Sequence, residues 1–208
     1  MTQKLTIQDI ANLAGVAKST VSRYLNNGYV NFIKVDDINA GKLMGEYIAS
    51  LNHQQVVFLG VSPQDKAVGV DRYEGFKQGF LANNPQGKIS FVQTDFSFEQ
   101  AYNLGDTVVS FEPSAVVCAT DNIALGLLRY FHEKKIHIPQ DISLAGFGGY
   151  PVGSISYPSL TSLAFDYKHL GIKTAEKLLS MLQNQPVTSE YDHNMNLIIR
   201  ESTRLAKI

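Results

Sequence analysis

Between residues 5 and 27 the chain reads LTIQDIANLAGVAKSTVSRYLNN, a stretch whose residue types and spacing suit contact with a nucleic acid. Thr6 is placed to N-cap a first helix, with Asp9 three residues on as its capping-box partner. Ile7, Ile10, Ala11 and Ala14 make one apolar face at helical spacing, and Gly15 closes the helix as a left-handed C-cap. A second helix over 18–26 turns Val21 and Leu25 inward and presents Lys18, Ser19, Ser22, Arg23 and Asn26 outward. An apolar helix pair that displays a cationic, hydrogen-bonding helix is what reading the major groove requires. A second set of candidate residues follows apolar runs further along the chain. Lys66 comes after VVFLG (56–60), Asp95 and Phe96 after ISFVQT (89–94), Asp121 after AVVCAT (115–120), and Gly148 with Gly149 after ISLAGF (142–147).

These runs read as strands buried on both faces, as in a parallel sheet. Between them lie amphipathic segments expected as helices over 38–51, 72–83, 98–111, 122–134 and 168–182. Gly41 and Gly45, four apart, would let the first of these pack closely on a sheet. A short strand at 161–164 and a final strand at 196–202 complete the pattern. Strands and helices in alternation predict a doubly wound α/β sheet with right-handed crossovers. Ligands bind such sheets outside the carboxyl ends of the strands, which is where the second set falls. Lys66 suits a phosphate. Asp121 suits both a helix cap and an acceptor for ligand hydroxyls. Two successive glycines at 148–149 would leave backbone N–H groups open to an anion. Lys66 and this glycine pair keep a phosphorylated sugar beside a plain sugar as the expected ligand.

The run D-I-A-x-L-A-G-V-x-x-S-T-V-S-R-x-L-N closely resembles the N-terminal headpiece of the lactose-repressor family of bacterial transcription factors, and the resemblance resumes from Ile33 to Arg204. It implies a helix-turn-helix DNA-binding headpiece (1–30) followed by a periplasmic-binding-protein-like effector-binding and dimerisation domain (31–208). By this resemblance Lys18, Ser19 and Arg23 reach base edges. Thr20, Ser22 and Asn26 contact phosphates, with Thr6 added to the DNA-contacting set. It also implies that Arg72 hydrogen-bonds ligand hydroxyls or a carboxylate, and that Phe96 packs on a sugar or base ring. Two departures stand out. Ala17 occupies a position where the family has a Ser or Thr cap, a change that costs roughly 0.5–2 kcal/mol. Gly148 stands where many members place an aspartate that takes sugar hydroxyls. The family's third headpiece helix, hinge helix and first βα units have no counterpart between Asn27 and Val35. The sensor domain is therefore expected to be incomplete, with one nearly whole lobe (56–147 and 196–202) and pieces of a second near 33–51 and 159–184.

The function expected is a sugar-operon repressor that acts as a homodimer on an operator duplex, with the dimer face partly on Leu127, Leu128 and Phe131. Alternatives are a transport-type sugar-binding protein and a truncated, non-functional repressor. Across 208 residues, 44% hydrophobic and 18% charged content is that of a globular protein. No apolar run approaches the roughly 18 residues of a spanning helix, and the N-terminus lacks the apolar core of a signal peptide. Cys118 is the single cysteine, inside an apolar run, and reads as a small buried hydrophobe. These features point to the cytoplasm. Residues 1–34 carry Lys4, Lys18, Arg23 and Lys34 against Asp9 alone, so a basic head precedes an acidic body. No metal spacing joins His53, His132, His137, His169 and His193, and no nucleophile elbow or phosphate-binding loop is present. G-F-G-G-Y-P fails the dinucleotide fingerprint at Pro151. No cofactor and no enzymatic activity are expected. Arg23→Ala should lower operator affinity by roughly 1–3 kcal/mol and relax one base position, read by titrating operator variants with the mutant. An unchanged base preference would remove Arg23 from the readout.

Overall fold

Four short apolar runs, each flanked by glycine, serine or a charged residue, set the register of the main sheet. In a computed structural model, residues 33–183 and 185–207 are described, and they fall into two compact units. The larger unit comprises 35–169 with 193–207, the smaller 33–34 with 170–192. The helix pair expected over 5–27, with its whole DNA-contacting set, lies outside the described residues.

The elements run β1 (Ile33–Val35), α1 (Asp37–Ser50), β2 (Gln55–Gly60), a π-helical turn (Lys66–Asp71), α2 (Arg72–Asn83) and β3 (Lys88–Gln93). Then come α3 (Phe98–Asn103), α4 (Gly105–Val109), β4 (Ala115–Cys118), α5 (Asp121–Glu133) and β5 (Ser143–Gly148). The remainder is α6 (Val152–Ile155), β6 (Thr161–Phe165), α7 (Tyr167–Leu182), β7 (Glu190–Asp192) and β8 (Met195–Ile198). The sheet of the larger unit has the order β3-β2-β4-β5-β6-β8, parallel from β3 to β6. β8 is antiparallel to β6, so the final strand expected over 196–202 closes the edge in the opposite sense and ends at Ile198.

The chain reverses its direction of travel at β2, with β3 on one side and β4 on the other. Right-handed crossovers taken in opposite directions put their helices on opposite faces, so α2 covers one face and α3 to α5 the other. On the first face Phe58 meets Phe76 with ring centroids 5.2 Å apart, and Phe80 stacks behind at 5.8 Å from Phe76. On the second, Ile123, Leu127 and Phe131 of α5 are fully buried. Cys118 lies in the core with its thiol pushed well up by burial, as a small hydrophobe would.

Three local expectations are corrected. α1 belongs to the larger unit and packs on α2, so 37–50 is part of the more complete lobe. The glycines of α1 face a helix instead of a sheet. A Cβ on Gly41 would stand 2.0 Å from the Arg72 carbonyl oxygen, and one on Gly45 2.3 Å from that of Phe76. α2 reciprocates: Gly75 would meet the Ile38 carbonyl oxygen at 2.0 Å and Gly79 that of Lys42 at 2.1 Å. Each helix thus places two glycines one turn apart against the other's carbonyls, close enough for Cα–H···O contacts. The helix expected over 98–111 breaks at Leu104, because Gly105 lies flat under the Tyr130 ring, where a Cβ would be 2.2 Å from Cγ.

The C-terminal segment is strapped to the larger unit by His53, which is buried and sits 3.0 Å from both the Ser114 hydroxyl and the Arg204 carbonyl. In the smaller unit β1 pairs with β7, and Lys177 bridges Glu190 at 2.9 Å. α7 buries none of its described residues and leaves Leu178, Leu179 and Leu182 more than half exposed.

Gly41→Ala and Gly75→Ala should each lower the urea midpoint by an amount worth about 1–3 kcal/mol, since overpacking against backbone outweighs the helix preference of alanine. Gly171, with nothing within 4 Å of its would-be Cβ, is the control. Gly171→Ala should stabilise by about 0.4–1 kcal/mol. His53 supplies a pH dependence. Burial holds its pKa below 6.5. The unfolded chain therefore takes the proton first. Stability should be full above 6.5 and fall as pH drops from there through the folded pKa. Urea unfolding across that range should show the loss in the wild type and a smaller one in His53→Asn.

Candidate functional site

The strand order places the reversal between β2 and β4, and the crevice at such a point is where open α/β sheets bind ligands. The glycine crossing brings the first turns of α1 and α2 together beside it. There Arg72, 5% exposed, donates from Nε and Nη2 to Asp37 Oδ1 at 3.0 and 2.5 Å. Its Nη1 donates to the Ala119 carbonyl, just past the end of β4, at 2.5 Å. The guanidinium lies over the rings of Phe147 and Phe165, 4.9 and 5.2 Å from their centroids. A buried cation needs both a counter-charge and hydrogen-bond partners, and each of the three guanidinium nitrogens finds one within the chain.

Asp121 is fully buried beside that pair's strand and is not the helix cap expected of it. Thr120 caps α5, its hydroxyl accepting from the Ile123 N–H at 3.3 Å. Asp121, the first helical residue, turns inward to accept from the Ser162 hydroxyl at 2.6 Å and the Tyr150 N–H at 2.8 Å. Burial raises its pKa, against the pull of the Ser162 bond. Gly146 makes room for it, since a Cβ there would lie 2.4 Å from Asp121 Oδ1. Gly148 and Gly149 adopt φ of 127° and 70°, backbone that glycine takes without strain. The Gly149 amide is not open to an anion as expected: its N–H donates to Ser162 Oγ at 3.0 Å, and the neighbouring Tyr150 N–H is held by Asp121.

Lys66 lies in the π-helical turn after β2 and pairs with Asp71 at 2.9 Å. Phe96 is 48% exposed at the end of β3, and its carbonyl accepts from the Asn122 amide at 2.8 Å. Lys66, Arg72, Phe96 and Asp121 thus all stand at the carboxyl ends of the strands. Arg72 and Asp121 form a buried floor, Lys66 is committed to a carboxylate, and Phe96 is open. Two aromatics that sequence reasoning passed over join Phe96. Tyr150 follows the glycine pair and Tyr167 opens α7; both are exposed, and their side chains hydrogen-bond each other. Tyr167 packs edge-on to Phe165 at 6.0 Å, and its hydroxyl is pushed up to about 12, mainly by partial burial. The signal for them was position alone, immediately after β5 and β6. Thr94, at the end of β3, is buried with its hydroxyl unpartnered among the described residues.

The dimer residues expected on α5 are also corrected. Leu127 and Phe131 are fully buried under the chain's own sheet because they share the stripe of Ile123. The outer side of α5 instead borders two cavities of about 560 and 470 Å³ that share Leu128, His132 and Tyr157. Val152, Ile155 and Tyr157 stand exposed beside them, Tyr157 at 92%.

Known proteins place this architecture. Residues 46–203 match the periplasmic binding protein-like domain, and residues 6–35 match bacterial regulatory proteins of the lacI family. The chain belongs to the lacI family of bacterial regulators, with the periplasmic binding protein-like domain as its main body. It is 35% identical over 156 residues to the sucrose operon repressor of Staphylococcus xylosus, covering 73% of this chain and 47% of that one. It is 25% identical over 191 residues to the ribose operon repressor of Halalkalibacterium halodurans, covering 88% of this chain and 55% of that one. The chain therefore spans about half the length of these relatives. A LacI family transcriptional regulator from Enterococcus faecium with bound ribose superposes with a TM-score of 0.81 at 25% identity, covering 88% of this chain and 68% of that one. The Escherichia coli repressor ascG shares the fold, with a TM-score of 0.74 at 17% identity over 96% of this chain and 75% of that one. No described helix is long and apolar enough to cross a membrane.

Proposed function

We propose that the chain is a sequence-specific DNA-binding repressor of sugar-utilisation genes, working in the cytoplasm without catalysis and released from its operator by a sugar or sugar phosphate. The observation that carries this reading is the join of a segment matching lacI-type regulators (6–35) to a periplasmic binding protein-like domain (46–203). Residues 1–30 act as the headpiece, and Thr6, Lys18, Ser19, Thr20, Ser22, Arg23 and Asn26 contact DNA. Residues 31–208 hold the effector. Phe96, Tyr150 and Tyr167 flank a pyranose or furanose ring, whose C–H faces suit flat aromatic surfaces. Asp121 and Arg72 fix the floor beneath it, and Lys66 stands at its rim. A second copy packs on the outer side of α5, where Val152, Ile155 and Tyr157 give it apolar area. A two-fold protein then meets a two-fold operator.

The half-length of the chain relative to its relatives favours a second reading, a product that retains the effector floor but represses poorly. One experiment separates the two. Selection of bound sequences from a random duplex pool should enrich a two-fold symmetric motif, and adding sucrose or ribose should weaken binding to it. Enrichment of no motif, with binding that depends on salt alone, would leave only the second reading.

A further inference from the structure

Three groups at the strand ends that are suited to hold an anion are already engaged by the chain itself. Lys66 pairs with Asp71, the Gly149 N–H is taken by Ser162, and Arg72 is taken by Asp37 and the Ala119 carbonyl. The third of these decides most. The guanidinium sits at the reversal point of the sheet, between two phenylalanine rings, in the place from which a forked donor would grip a ligand carboxylate or phosphate. Asp37 is itself an anion in that grip. Its carboxylate is 7% exposed and receives two guanidinium arms. It arrives there because Gly41 and Gly75 let the first turns of α1 and α2 touch.

We propose that Asp37 is a specificity-determining residue: it occupies the anion position of Arg72 from within the chain, so the site accepts uncharged polyhydroxy ligands and rejects their phosphorylated or carboxylated counterparts. The inference rests on the effector-site reading above and narrows it to one charge class. An incoming phosphate would have to displace a carboxylate that is already desolvated and paired. Failing that, it would lie beside Asp37 and the buried Asp121 with no uncommitted guanidinium arm to neutralise it. A sugar hydroxyl meets no such penalty, because it brings no charge to be neutralised.

Asp37→Ser vacates the carboxylate's place, and Asp37→Asn keeps its shape while removing its charge. Thermal unfolding of the full chain in sodium phosphate against sodium chloride at equal ionic strength reads the anion position without knowledge of the effector. Phosphate should raise the midpoint of Asp37→Ser clearly more than that of the wild type, and adding Arg72→Gln to the variant should abolish the difference. Calorimetric titration with ribose and ribose 5-phosphate should show the wild type preferring the neutral sugar. In Asp37→Asn the preference should shift toward the phosphate by about tenfold or more, the effect of regaining one charge-assisted contact. Arg72-dependent phosphate stabilisation of the wild type, or equal phosphate response in wild type and Asp37→Ser, overturns the proposal. Should Asp37→Ser not fold in chloride, folding restored by phosphate supports it, and an unshifted preference in Asp37→Asn overturns it. Failure of every form to bind either sugar would count against the effector-site reading, while the phosphate comparison would still decide the role of Asp37.

Discussion

The buried pair of Asp37 and Arg72 is the interaction on which the rest of the larger unit depends. It ties the first turn of α1 to the first turn of α2, and through the Ala119 carbonyl it ties both to the end of β4. The pair forms only because four glycines let the two helices approach until carbonyl oxygens face bare Cα atoms. A charge pair so far from water brings little net stability, since desolvation offsets most of the attraction, but losing one partner leaves a buried ion alone. Its consequence is geometric. It fixes which groups remain available at the point where the sheet changes direction.

From that floor the functional reading follows by elimination within the site. Arg72, Lys66, the Gly149 amide and Asp121 all have partners inside the chain. Beside Lys66, which is exposed but paired with Asp71, what stays exposed is aromatic: Phe96, Tyr150 and Tyr167. A surface of rings over a neutralised floor suits a flat, hydroxylated, uncharged molecule. On the proposed reading, the lacI-type segment over 6–35 is what such binding regulates. On the same proposed reading, a second copy packs on the outer side of α5, where cavities adjoin exposed Val152, Ile155 and Tyr157.

The order of elements was legible in the sequence because buried parallel strands read as unbroken apolar runs, and VVFLG, AVVCAT and ISLAGF became β2, β4 and β5. The strand ends were legible for the same reason, so all four candidate effector residues fell on one edge of the sheet. What was not legible depended on partners distant in sequence. Gly41 and Gly45 announced close packing but not whether a helix or a sheet would receive it. The sequence shows Arg72 as a cation, yet its neutralisation by a residue 35 positions earlier exists only after α1 and α2 cross. Asp121 was the expected cap, and Thr120 took that place because Ser162 and the Tyr150 N–H draw Asp121 inward. Leu127 and Phe131 looked available to a partner, because an apolar stripe on a helix does not say which neighbour it faces. Leu104 and Gly105 broke a helix that periodicity ran straight through, for want of any sign that Tyr130 would lie there.

Hydrogen–deuterium exchange of the chain with and without sucrose or ribose tests the central claim most directly, because it locates the ligand without presuming its contacts. The account predicts added protection at the strand ends, in the peptides holding Phe96, Ala119 to Asn122, Gly149 to Tyr150, and Phe165 to Tyr167. Protection confined to the cavities beside α5, or no protection with either sugar, would contradict it.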